Sequence, residues 1–198
     1  MQLVEAYKKV QNQKFGFKAR ESFRFSFGDL ETSKKLLWEA LQEVDKTADI
    51  EWLPEYDQVA HWMTDSKGKG LLLSGDVGRG KSNIIMFALP VLYMMKFRKV
   101  LKPIHADKLK DLVKDPGFMN RWSYTIDEVG AEPASSDYGV KYHSFMRLIN
   151  EAEINVKHCL FSTNLSSKEI KEKYDERTLD RIVRLCHVVK FKGKSLRK

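Results

Sequence analysis

The stretch GDVGRGKS, Gly75 to Ser82, sets three glycines, one lysine and one serine between the apolar runs GLLLS and NIIMFALPVLYMM. It satisfies G-x-x-x-x-G-K-[S/T] in full, with Gly78 as an additional glycine inside the pattern. Glycines let successive backbone N–H groups turn inward onto phosphate oxygens, and a helix starting at Lys81 adds the positive end of its dipole. On this reading Gly75, Asp76, Val77, Gly78, Arg79, Gly80, Lys81 and Ser82 form the cradle for a nucleoside triphosphate. The Lys81 ammonium reaches the β- and γ-phosphates, and the Ser82 hydroxyl ligates Mg2+.

Binding alone does no chemistry, so the second half of the chain must supply it. WSYTIDEVG reads as a strand ending in Asp127 and Glu128. The first acid is placed to hold the Mg2+ shell and the second to polarise an attacking water. Such a tandem marks hydrolytic phosphate-loop proteins rather than small-molecule kinases, and no acceptor pocket or arginine-rich lid is legible. HCLFSTNL ends a further strand at Thr163 and Asn164, whose amide could orient the water. DERTLDRIVR places Arg177 and Arg181 four apart on one helix. Arg181 either reaches into a neighbouring subunit's site as an arginine finger or pairs on its own helix with Asp180 or Glu176.

These groups need a frame. From Gly70 onward short apolar strands alternate with helical segments, a pattern that predicts a mostly parallel sheet covered on both faces by helices. Before it come two amphipathic helices: Leu36, Leu37, Ala40, Leu41 and Val44 share one face of the first, and Tyr56, Val59, Ala60 and Met63 one face of the second. Pro54 suits the second helix's first turn, and Pro90 should kink or divide the helix after the loop. That helix is apolar nearly all round and is expected to be buried. The chain divides into a basic, helical front part, 1–67, and a nucleotide-binding domain, 68–198.

The 198 residues carry a net charge of +8, which favours polyanions such as nucleic acid or nucleotides. Two cysteines, Cys159 and Cys186, fit neither a disulfide framework nor a zinc spacing. The run Ile84 to Met95 contains Pro90 and is too short to span a bilayer, and the polar N-terminus does not read as a signal peptide. A cytoplasmic protein without membrane contact is expected.

GDVGRGKS, TIDEVG, STNLS, YDERTLDRIVR and the tail VVKFKGKSLRK together resemble, in order and spacing, the DnaC/IstB family of AAA+ ATPases. That family comprises helicase loaders and the ATP-binding helpers of transposases. The resemblance implies an ASCE-type AAA+ P-loop NTPase sheet with no separate lid domain, slow ATP hydrolysis with Mg2+, and ATP-dependent assembly into homo-oligomers. It also implies contact with single-stranded DNA and a partner that is a replicative helicase or, alternatively, a transposase. By motif, Lys81 and Ser82 belong to Walker A, Asp127 and Glu128 to Walker B, Asn164 to sensor 1, Arg181 to the arginine finger and Arg197 to a sensor 2-like position. EPASSDYGVKYHSFMRLINEAEIN occupies the place of the DNA-contacting insertion and offers Lys141, Tyr142, His143 and Arg147. Arg79 departs from the small residue usual in this loop, and a phosphate or a neighbour's acid would each suit its guanidinium. Residues 1–30 would grip the helicase or pack beside the adenine.

Overall fold

The computed structural model describes residues 5, 23–44, 50–119, 123–133, 135–137 and 140–196, with no side-chain description for 119, 123, 135–137 and 140–142. Arg197 and most of the stretch before Phe23 lie outside these residues.

Phe25 and Phe27 are buried and pack edge-on against Tyr93, with Phe25 also against Trp62. Backbone bonds from Phe27 to Met63 and from Ser66 to Phe25 fix this segment beside the second helix. Helix α1 spans Leu30–Val44 and buries Leu37 and Leu41, with Leu36 and Ala40 packed at the margin. Helix α2 spans Pro54–Thr64 with its proline in the first turn. Its expected face is buried, and Trp62 and Glu55 are buried as well.

Strand β1, Gly70–Gly75, runs into the glycine loop. The helix after the loop opens with a π-helical turn, Asn83–Ala88, and continues as α3, Leu89–Phe97. Pro90 lies in the first turn of α3, and it divides the wide turn from the regular helix. The expectation of complete burial is corrected here. Ile84, Ile85, Ala88, Leu89, Leu92 and Tyr93 are buried, but Phe87, Val91, Met94 and Met95 are 41 to 61% exposed. The helix rests on the sheet and on α1, so an apolar circumference does not find cover on every side.

The chain continues through β2, Pro103–His105, a 3-10 turn, Ala106–Lys108, and the short helices α4, Leu109–Leu112, and α5, Pro116–Met119. Then come β3, Ser123–Val129, and an antiparallel hairpin of β4, Ser135–Asp137, with β5, Val140–Tyr142. Helix α6, Ser144–Ile154, precedes β6, His158–Thr163. Helices α7, Ser167–Lys173, and α8, Glu176–Leu185, lead to β7, Cys186–Phe191. A capping box of Ser166 and Glu169 starts α7, and the Asp175 carboxylate caps α8.

The main sheet has the order β2-β3-β6-β1-β7 and every pairing in it is parallel. Side chains alternate across it. Leu71 and Leu73 join the core shared with α1, α2 and α3, whereas Leu72 joins Ile126, Phe161, Phe145 and Ile182 on the other face. Burying each such leucine contributes about 1.5–3 kcal/mol. Helices therefore cover both faces, as the alternating pattern predicted. The described front residues belong to the first of these cores.

Candidate functional site

Three neighbouring strands, β1, β6 and β3, end on one edge of the sheet, and their C-terminal tips carry the polar groups. The edge of a parallel sheet is where ligands of such folds bind, because the loops there diverge.

The loop leaves β1 at Gly75, whose φ is +121° and whose missing side chain lets the Phe191 carbonyl approach; a Cβ would stand 2.0 Å from that oxygen. Asp76 N–H donates to the same carbonyl at 3.0 Å, so β7 fixes where the loop begins. Gly78, at φ +76°, accommodates the tail: a Cβ there would lie 2.1 Å from Ser195 Oγ, and Leu196 N–H donates to the Gly78 carbonyl at 2.9 Å. Lys81 is 6% exposed, and its ammonium donates to the carbonyls of Gly75 at 2.8 Å and Asp76 at 2.6 Å. The lysine charge is thus folded inside the curl of the loop. That placement of a buried cation fits a strongly anionic ligand in the same curl.

The Ser82 hydroxyl lies 3.1 Å from Asp127 Oδ1, which also accepts from Ser162 Oγ. Asp127 is buried. Among the described residues no three His, Cys, Asp or Glu side chains gather as a metal cage. A serine hydroxyl beside one carboxylate suits Mg2+, which keeps waters and takes substrate phosphates as its other ligands.

Glu128 is the strained residue of the site. Its φ is +56°, left-handed for a non-glycine residue, and the β3–β6 register slips between Ile126 and Val129 to admit it. Its N–H donates to Ser162 Oγ at 2.9 Å. Its carboxylate is half exposed, with Oε2 3.0 Å from His105 Nε2, while His105 Nδ1 is 3.1 Å from Asp107 Oδ1. Each ring nitrogen thus faces a carboxylate. Desolvation works to raise the Asp107 pKa, but the His105 contact and the Lys108 charge outweigh it and hold that carboxyl below its usual range.

Asn164 is exposed just past β6. Beside it, Thr163 Oγ1 donates to the Val129 carbonyl at 2.5 Å, locking the tips of β6 and β3 together. The loop, Ser82, Asp127, Glu128 and Asn164 therefore share one edge. Arg181 is held differently: its side chain is 9% exposed and its Nε donates to Glu153 Oε2 of α6 at 2.7 Å. Arg184, not Arg181, pairs with Asp180. Arg177 is exposed one turn earlier.

The stretch expected to meet DNA contains the β4–β5 hairpin and the whole of α6. Lys141 and Tyr142 lie on β5, outside the side-chain description. Arg147 is exposed. His143 is half buried with its ring edge-on to Tyr174 at 5.3 Å, and burial followed by the Lys173 charge lowers its pKa.

Arg79 meets an acid of its own chain. Its Nη2 lies 3.0 Å and 3.1 Å from the two carboxylate oxygens of Glu55, the second residue of α2. Sequence reasoning also passed over His105, Asp107, Ser162 and Glu55. His105 had a signal, since it ends an apolar strand; its register partner is Asp127, and register is what the sequence does not spell out.

No protein-family model matches the chain, and no curated protein resembles it in sequence. Solved structures do resemble it in shape. The DnaC helicase loader matches over 80% of this chain and 99% of its own, with a TM-score of 0.54 and 19% identity. DnaI matches over 80% of this chain and 94% of its own, with a TM-score of 0.54 and 16% identity. The chain has their fold, the AAA+ type of P-loop NTPase fold. No described helix is long and apolar enough to cross a membrane.

Proposed function

We propose that the chain is an ATP-binding and hydrolysing AAA+ ATPase of DNA replication that delivers a ring helicase to DNA. The observation that carries the nucleotide reading is the contact of Ser82 with Asp127, 3.1 Å apart, at the mouth of a glycine loop with its lysine turned inside. The loader reading rests on the motif set and on the shape shared with the DnaC helicase loader.

Lys81 balances the charge of the β- and γ-phosphates while the loop amides fix their orientation. Ser82 and Asp127 hold Mg2+, which supplies charge neutralisation on the phosphates when bound. Glu128 accepts the proton of the attacking water, with Asn164 beside it to orient that water. Arg181 serves a neighbouring subunit's site after assembly, which requires it to leave Glu153. Arg197 contributes from the tail as a sensor 2-like cation. Lys141, Tyr142, His143 and Arg147 offer the surface for single-stranded DNA, whose hold on phosphates should weaken steeply with salt.

The test is titration with a fluorescent ATP analogue in Mg2+, followed by mixing with the replicative helicase of the same cell. Wild type should bind the analogue, and Lys81→Ala should weaken binding at least a hundredfold. Ser82→Ala should remove most of the Mg2+ dependence. Analogue binding that is indifferent to Lys81→Ala refutes the site. Analogue binding without any ATP-dependent capture of the helicase, but with capture of a transposase, refutes the loader reading and leaves the site standing.

A further inference from the structure

Three stretches far apart in the chain meet at one guanidinium. Arg79 sits within the phosphate loop, Glu55 at the start of α2, and residues 192–194 in the tail that follows β7. The Arg79–Glu55 pair is nearly dry, with side-chain exposures of 11% and 8%. Glu55 Oε1 also accepts the Lys192 N–H at 2.9 Å, and Arg79 Nη1 points to the Lys194 carbonyl at 3.4 Å. Asp76, from the other arm of the loop, accepts the Gly193 N–H at 2.8 Å. Burial raises the Glu55 pKa, but the Lys192 amide and Arg79 outweigh it and hold the carboxyl below its usual range. An ionised carboxylate that accepts through both oxygens from one guanidinium nitrogen, inside a dry contact, is a charge-assisted link between the loop and α2.

We propose that Arg79 is a positioning residue: it clasps the phosphate loop to helix α2 and to the tail, so that triphosphate affinity depends on where those two segments sit. This rests on the nucleotide reading given above. The two Nη atoms meet Glu55 and the tail, Nε is buried with no hydrogen-bond partner among the described residues, and the guanidinium acts on the phosphates through the loop's backbone. A ligand or protein that pulls α2 or the tail outward therefore loosens the nucleotide without touching it, a coupling of the size usual between linked sites, about five- to 150-fold.

The experiment compares Arg79→Ala, Glu55→Gln, the double variant and Arg79→Lys in the full chain. Two readouts are needed: affinity for the fluorescent ATP analogue, and hydrogen exchange of the amides at Lys192, Gly193 and Leu196 without nucleotide. Each single variant should weaken the analogue about tenfold, the double variant no further, and Arg79→Lys should recover part of the loss. Glu55→Gln should raise KM more than it lowers kcat. The tail amides should exchange faster in every variant. Gly193→Ala, whose Cβ would crowd Arg79 Nη1 at 3.1 Å, moves the tail without altering a charge and should mimic them, which guards against a variant that fails to fold. If Arg79→Ala loses affinity while Glu55→Gln and Gly193→Ala do not, the guanidinium touches phosphate itself and the clasp is wrong. Additive losses also overturn it. If wild type binds no nucleotide, the functional reading fails separately, and unchanged tail exchange is then what rejects the clasp.

Discussion

Replacing Glu128 by glycine should leave a protein more stable than replacing it by alanine, while both variants lose hydrolysis. Glu128 holds φ at +56° between Ile126 and Val129, a conformation that costs an L-residue about 1–2 kcal/mol and costs glycine nothing. Its N–H bond to Ser162 Oγ uses the backbone and survives either change. The contact with His105 is lost in both, and at its exposure it contributes about 0.2–1 kcal/mol. The extra freedom of glycine in the unfolded chain takes back about 0.5–1 kcal/mol. The balance favours Glu128→Gly over Glu128→Ala by about 0.5–1 kcal/mol. For a chain of this size that is a melting temperature higher by about 1–4 °C. Calorimetry without nucleotide measures it cleanly, since a bound ligand would shift both curves. If the alanine variant melts at the same temperature or higher, Glu128 is not strained and the link between its backbone geometry and its chemical role is lost. Strain kept at a residue that could be relaxed by one substitution is the mark of a site held for function.

His158 is fully buried, stacked 6.1 Å from Trp62 and bonded to Tyr93 Oη at 2.6 Å, and burial lowers its pKa to about 3. The folded state therefore keeps it neutral while the unfolded chain takes up a proton below about pH 6.5, so its contribution is complete above that pH. Stability should fall by about 1.4 kcal/mol per pH unit on the way down toward pH 3, and His158→Gln should flatten that slope in urea titrations between pH 6 and 4. An unchanged slope would assign the acid limb to other groups. Arg181→Ala should leave ATP affinity of the dilute protein intact and remove the rise of turnover with protein concentration. Turnover that declines only in step with melting temperature would mark Arg181 as a structural partner of Glu153.

The elements that position the site were legible because each is local. Short continuous apolar runs gave β1 and β6, a period of 3.6 gave α1 and α2, and Pro54 marked a helix start. The glycine loop was legible through glycines that the Phe191 carbonyl and Ser195 leave room for nothing else to replace. The acids at 127 and 128 followed from their place at a strand end. What the local pattern missed was of two kinds. The exposed stripe of Phe87, Val91, Met94 and Met95 depends on which neighbours cover a helix, and composition is silent on that. The hairpin of β4 and β5 is too short for periodicity to register, at three residues in each strand.

The second kind of omission bears directly on the chemistry. His105 reaches Glu128, Ser162 reaches Asp127 and Glu55 reaches both Arg79 and Lys192, and each of these pairs is joined across the sheet or across the chain rather than along a helix or strand. Glu55 and Lys192 are 137 residues apart in sequence, and Arg79 and Lys194 are 115 apart. No periodicity links such positions; a buried guanidinium needs an anion beside it, because an uncompensated buried charge is too costly to keep. The sequence leaves a phosphate and a neighbour's acid both open for Arg79. The fold selects Glu55, in the first turn of α2, where Pro54 sets the helix start and Tyr56 lies against Gly80. On the proposed nucleotide reading, helix α2 holds one end of the glycine loop through Glu55, so a partner that grips α2 would also act on that loop.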